Sequence, residues 1–258
     1  MKICGILSWY DEAPHWLATA VAGFARVCDL IVAVDGAYAL YPGARPCSHP
    51  QQAEAVLSAA EAAGVACLLH RPQKLFFGNE VEKRNLTLRL AAPFLGEDDW
   101  VLAFDADCHV FKCDQIRVRG ELENTDALLA SYTFLNVEDA FVNPDLARLS
   151  SVDDFSTEST GRTRDIYRWH PSLLYGPQHW VVSREFDGER LWLRHSKDGV
   201  DSHDLDASLV VYHRSRDRAK VRQDAQQGYY DARELHGVEE MLPGDPAANG
   251  VGLMKVRR

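Results

Sequence analysis

Two carboxylates one residue apart, Asp105 and Asp107, close an unbroken apolar run, Trp100-Val101-Leu102-Ala103-Phe104. Hard oxygen donors in this spacing suit Mg²⁺ or Mn²⁺, ions that prefer carboxylate, water and phosphate oxygens. A run that is apolar at every position suits a parallel strand buried on both faces. In an open α/β sheet, ligands gather just beyond the carboxyl ends of such strands. The Asp-Ala-Asp therefore sits where a site belongs. Taken alone, such a triplet more often just caps the next turn than binds a metal, so the order of elements around it decides.

That order begins with a strand over residues 3–9, ending at Ser8-Trp9-Tyr10-Asp11-Glu12. Pro14 stands at a helix start, where its missing N–H costs nothing. Trp16, Leu17, Ala20, Val21, Phe24 and Val27 then recur at helical spacing. A second strand, Leu30 to Val34, ends at Asp35-Gly36. An Ala-rich helix follows at about 51–63, then a third strand from Val65 to His70. Asn79 and Glu82 have capping-box spacing and open a helix running to about Leu95. The fourth strand delivers the Asp-Ala-Asp. Strand and helix thus alternate three times, the pattern of a doubly wound parallel sheet.

Beyond residue 113 the rhythm changes. Asp126 to Leu135 reads as a strand, and residues 150–164, rich in Ser, Thr, Asp and Gly, as a mobile surface loop. Strand-like pieces follow at about 166–169, 178–183, 190–195 and 207–213, then a charged helix over 214–235. The expected division is residues 1–112 as one α/β half, 113–242 as a second half of the same domain, and 243–258 as a tail.

Composition narrows the function classes. The chain has 258 residues, enough for one large domain with a sizeable core. A formal net charge of −10 argues against a broad grip on nucleic acid or anionic membrane. No apolar run approaches the ~20 residues of a membrane-spanning helix. The first residues read as a core strand rather than a signal peptide. Six cysteines show neither a CxxC pair nor zinc spacing. Cys4, Cys28 and Cys67 lie in apolar runs and read as buried hydrophobes, Cys108 as packing, which fits a reducing, cytoplasmic setting.

The segment Gly78-Asn79-Glu80-Val81-Glu82-Lys83-Arg84-Asn85, followed by Asp99-Trp100-Val101-Leu102-Ala103-Phe104-Asp105-Ala106-Asp107, resembles the helix and metal motif of GT-A fold glycosyltransferases. It is closest to family 2, which includes uncharacterised bacterial and phage-encoded members. The resemblance covers residues 1–112 well and 165–235 more weakly. It implies a GT-A-like α/β fold: a Rossmann-like, mostly parallel central sheet flanked by helices, with a mixed C-terminal acceptor half. It also implies a metal-dependent hexosyl or pentosyl transferase of inverting course. Such an enzyme moves sugar from a nucleotide-diphosphate donor, UDP-sugar favoured, to an acceptor hydroxyl.

By that resemblance Asp105 would contact ribose or metal, and Asp107 would ligate the Mn²⁺ or Mg²⁺ that bridges the diphosphate. Asp35 would bind base or ribose, its alternative being a turn-forming Asp-Gly. Ser8, Trp9, Tyr10 and Glu12 would line the base pocket, or simply end a strand and cap a helix. Lys83 and Arg84 would offer cations to the diphosphate or to acidic neighbours or, Lys83 more than Arg84, form a solvated helix face. His213 ends an apolar run as Asp107 does, and glycosyltransferases of this fold often supply a late His to the metal. His109 competes with it. The following Arg214, Arg216, Arg218, Lys220 and Arg222 would lie near the diphosphate or form a solvated face.

An inverting transfer also needs a base within reach of the acceptor hydroxyl. The polar cluster Asp201, His203, Asp204 and Asp206 supplies Asp204 as the candidate. Tyr175 to Trp180 would form an acceptor wall. The acceptor itself is open: a glycan, protein, small molecule or modified phage DNA base, with DNA disfavoured by the net charge. A sugar-nucleotide nucleotidyltransferase is a second reading, but it calls for a Gly-rich cationic loop where Ser8 to Glu12 stand. A third is an inactive nucleotide-binding module, which predicts broken metal carboxylates.

Overall fold

The computed structural model describes residues 1–76, 80–136, 162–176, 182–193, 202–205, 208–213 and 220–235. At its centre lie the two apolar strands that the sequence marks most strongly. Ile3–Trp9 (β1) and Trp100–Phe104 (β4) are buried at nearly every position. They pair in parallel from Ile3 opposite Trp100 to Leu7 opposite Phe104. Leu30–Asp35 (β2) and Ala66–His70 (β3) extend the parallel set outward, giving the order β3-β2-β1-β4.

Helices cover both faces. Pro14–Phe24 (α1) starts on its proline and buries Trp16, Leu17, Ala20, Val21 and Phe24, the face its spacing predicts. Phe24 stacks on Phe104 with ring centres 4.2 Å apart. Pro50–Ala62 (α2) is capped by His49 and packs on the same side. Glu80–Ala91 (α3) covers the other face, with Val81, Leu88 and Ala91 in a second apolar cluster. Asn79, half of the expected capping box, lies outside the described residues.

Past β4 the chain turns within Asp105–Cys108, where the Cys108 amide donates to the Asp105 carbonyl at 3.0 Å. It then forms Cys108–Cys113 (β5) and the short helix Gln115–Glu123 (α4), neither of which the sequence reading expects. Leu129–Asn136 (β6) and Arg162–Arg168 (β7) follow as an antiparallel pair, β7 also pairing with β4. The strand read at 166–169 thus begins four residues earlier. Its amino-terminal half is polar and is held by pairing with β6 rather than by apolar content. The loop expected over 150–164 falls mostly outside the described residues, as does the 243–258 tail.

Leu174–Tyr175 (β8), Val182–Phe186 (β9) and Glu189–Leu193 (β10) make a separate three-stranded sheet. Ser202–Asp204 (β11) and Leu209–His213 (β12) return to the large sheet, both parallel to β6, and β12 pairs antiparallel with β5. The helix expected at 214–235 is described as Lys220–Leu235 (α5). Because β1, β4, β6 and β12 share one direction, their carboxyl ends meet along one edge of a nine-stranded sheet.

Candidate active site

Three strand ends bring the site together. Asp105 and Asp107 follow β4, Ser8 and Trp9 end β1, and His213 ends β12. In the β12–β5 ladder His213 opposes Cys108, so the histidine is set directly beside Asp107. Its Nε2 lies 3.1 Å from Asp107 Oδ2, with Asp107 almost wholly buried. On the facing side, α3 presents Arg84, whose Nη2 is 2.7 Å from Asp105 Oδ1.

These groups open onto a cavity of about 360 Å³. Of the residues singled out in the sequence, Ser8, Trp9, Tyr10, Glu12, Arg84, Asp105, Asp107 and His213 all line it. Asp35 and Asp204 do not join them. Asp35 is fully buried, with its carboxylate held by Ser48 and Arg71. Asp204 is exposed and opposes Ser131 on β6, whereas His213 opposes Asn136. Five residues at ~3.3 Å each separate these levels by roughly 16 Å along the sheet, too far for a base acting at the Asp107 end. Asp201, Asp206, Arg214, Arg216 and Arg218 lie outside the described residues, as does the stretch 177–180 of the expected acceptor wall. Tyr175, which begins that wall, is buried.

Lys83 corrects the expectation of a solvated helix face. It is 1% exposed, and its Nζ donates to the carbonyls of Trp9 and of Gly36, the latter at 2.7 Å. Burial is the largest influence on its amine and lowers the pKa to about 7. The carboxylates of Asp35 and Glu80 act in the opposite sense, while Arg84 and Arg222 add to the lowering. The amine thus ties the ends of β1 and β2 together at the cavity wall.

Several lining residues escape the sequence reading. α5 brings Gln226, Tyr229 and Tyr230 over the cavity beside Arg222, at i, i+4, i+7 and i+8, a helical face that its spacing could have revealed. Tyr229 stacks on Tyr38 with ring centres 5.1 Å apart. Arg222 donates to the Tyr41 hydroxyl at 2.6 Å and lies 3.2 Å from the buried Glu12 carboxylate. These residues, with Tyr10, divide the cavity from a second one of about 630 Å³.

The donor set fits a divalent cation. Ligand atoms of Asp105, Asp107 and Cys108 lie within 4.8 Å of one another, and the His213 imidazole stands 3.1 Å from Asp107. Cys108 is fully buried in the apolar core, so the donors that face the cavity are carboxylate oxygen and imidazole nitrogen. Such a set suits Mn²⁺ or Mg²⁺ better than a soft ion. His109 instead packs edge-on against Trp16, ring centres 5.5 Å apart, and is not among the lining residues.

No protein-family model matches the chain, and no curated protein does. Among solved structures, S. aureus TarS 1–349 in complex with UDP aligns at 16% identity over 65% of this chain and 47% of that one, with a TM-score of 0.42. The same protein in complex with UDP-GlcNAc aligns at 17% identity over 65% and 45%, with a TM-score of 0.41. A mycobacterial protein aligns at 15% identity over 95% of this chain and 76% of that one, with a TM-score of 0.40. The chain spans less than half the length of these TarS chains. At such scores the likeness carries no argument about activity. The sheet is mostly parallel and flanked by helices, with a mixed second half. No helix among the described residues is long and apolar enough to cross a membrane.

Proposed function

We propose that the chain is a metal-dependent glycosyltransferase that moves a sugar from a nucleotide-diphosphate donor, UDP-sugar favoured, to an acceptor hydroxyl. One observation carries the reading. Asp105, Asp107 and His213 converge at the carboxyl ends of parallel strands, in a cavity that also holds Lys83, Arg84 and Arg222. Residues 1–112 would bind the donor, and 113–242 would shape the acceptor side.

Asp105, Asp107 and His213 would hold Mn²⁺ or Mg²⁺, which neutralises charge on a leaving diphosphate. Arg84 and Arg222 would add fixed positive charge in a partly dehydrated cavity, where it acts strongly on a departing anion. The Tyr10, Tyr38, Tyr41 and Tyr229 rings would supply flat faces for the base. Direct in-line displacement at the anomeric carbon, with inversion, would also call for a base at the acceptor hydroxyl, and the position of Asp204 on β11 argues against that residue.

A thermal-shift panel of UDP, GDP, CDP, ADP and dTDP, each with Mn²⁺ or EDTA, tests the donor half. A diphosphate at ~100 times its Kd adds about 2.7 kcal/mol to stability. Stabilisation by one diphosphate, only with metal, is the expected result and names the base. No shift with any of them overturns the reading in favour of a degenerate fold relative that binds no nucleotide. If the acceptor is DNA, transfer falls steeply with salt through counterion release.

A further inference from the structure

Asp35, the carboxylate at the end of β2, is fully buried and yet surrounded by donors. Both Ser48 groups reach it: the hydroxyl donates to Oδ1 at 2.6 Å, and the amide lies 3.1 Å from each oxygen. Arg71 Nε donates to Oδ2 at 3.1 Å, while its Nη2 donates to the Ser48 carbonyl at 2.6 Å. A carboxylate held this way has no face left for a nucleotide.

The chain of contacts continues toward the cavity. The same Ser48 hydroxyl accepts the Asp11 amide at 2.8 Å. Asp11 has a φ of 52°, a left-handed conformation that is uncommon outside glycine. The next amide, that of Glu12, donates to the buried Gln52 side chain at 3.0 Å. This strained turn separates Tyr10 and Glu12, both of which line the cavity. Local strain of this kind persists only where the surroundings over-determine it. Here the determinants are Ser48 and Gln52.

We infer that Asp35, Ser48 and Arg71 are positioning residues that lock the Tyr10–Glu12 turn and thereby set the nucleotide affinity of the cavity without touching the nucleotide. The inference rests on the donor reading above. It differs from that reading over Asp35, which the family resemblance would place in direct contact with base or ribose.

The test uses the full chain and the diphosphate that the panel identifies, titrated with Mn²⁺, alongside amide exchange of residues 9–13 and a thermal melt. Ser48→Ala is expected to melt cooperatively, to exchange faster over that segment, and to bind the diphosphate about tenfold more weakly, as for a binding-competent turn populated roughly a tenth of the time. Ser48→Thr, which keeps the hydroxyl, restores both readouts. Asp35→Asn moves them in the same direction by less, since an oxygen acceptor for Ser48 remains. It replaces Ser48→Ala as the deciding variant should the latter not fold.

Wild-type affinity and exchange in a folded Ser48→Ala protein overturn the inference. So does a lowered melting temperature with unchanged affinity, the signature of a merely structural role. Affinity lost in Asp35→Asn but kept in Ser48→Ala returns Asp35 to direct contact. Failure of the wild type to bind any diphosphate sinks the donor reading itself and the claim on affinity with it.

Discussion

His213 Nε2 lies 3.1 Å from Asp107 Oδ2, and sheet register creates the contact. His213 opposes Cys108 across the β12–β5 ladder, so the two side chains meet although they come from distant parts of the chain. Asp107→Ala is expected to abolish Mn²⁺-dependent nucleotide binding while leaving a cooperative melt. His213→Ala should weaken binding less completely, since both carboxylate ligands remain. Titration with and without Mn²⁺ checks both. Unchanged metal-dependent affinity in a folded Asp107→Ala protein would sink the central assignment.

Arg222 and Glu12 form a second long-range pair, 3.2 Å apart, with Glu12 only 4% exposed at its side chain. Arg222→Ala deprives a buried carboxylate of that cation and should cost about 3 kcal/mol in chemical denaturation. Adding Glu12→Gln to the same protein should recover part of the loss. If the double variant is no more stable than the single one, the pair contributes little.

Lys83 makes stability depend on pH in a defined window. Its amine titrates near 7 in the fold against an ordinary value of 10.5. Below about pH 7 the amine is charged in both folded and unfolded chains, and burial opposes folding in full. Between about 7 and 10.5 only the unfolded chain keeps the proton, so the opposition fades as pH rises. Wild-type stability relative to Lys83→Met should therefore increase from pH 7 to pH 10. Denaturation curves for both proteins across that range read it. A constant difference would place the titration elsewhere.

Gly5, in the middle of β1, is a packing requirement. A methyl there would sit 2.9 Å from Cys28 Sγ and 3.0 Å from a Phe104 ring carbon. Gly5→Ala should cost about 1–3 kcal/mol by overpacking. A melting temperature equal to wild type would show that Cys28 and Phe104 yield freely.

The four parallel strands were legible because each is an apolar run bounded by Gly, Pro or charge, and β1 and β4 are buried at nearly every position. β5 was not legible. It follows two aspartates, carries Lys112 and His109, and is stabilised by β12, far along the chain. α4 buries only Val118 and Leu122, too few for a visible stripe. In the site, strand-end residues such as Asp105, Asp107 and His213 announced themselves by position. Lys83 did not, because the carbonyls that satisfy it belong to Trp9 and Gly36 and come from other elements. Asp35 looked like a ligand for the same reason: the Ser48 and Arg71 groups that occupy it are tertiary partners.

The cysteines give the molecule built-in reporters of its own opening. All six are free thiols; Cys4, within β1, and Cys28, packed next to Gly5 of that strand, are both buried. Burial pushes Cys4 up to about 12 and Cys28 well above its ordinary range, so neither presents a thiolate in the closed fold. An alkylating reagent reaches them only when the apolar packing over the sheet opens. Their labelling rate therefore clocks the opening of the core on either side of the sheet, and a bound donor would be seen as a slower clock.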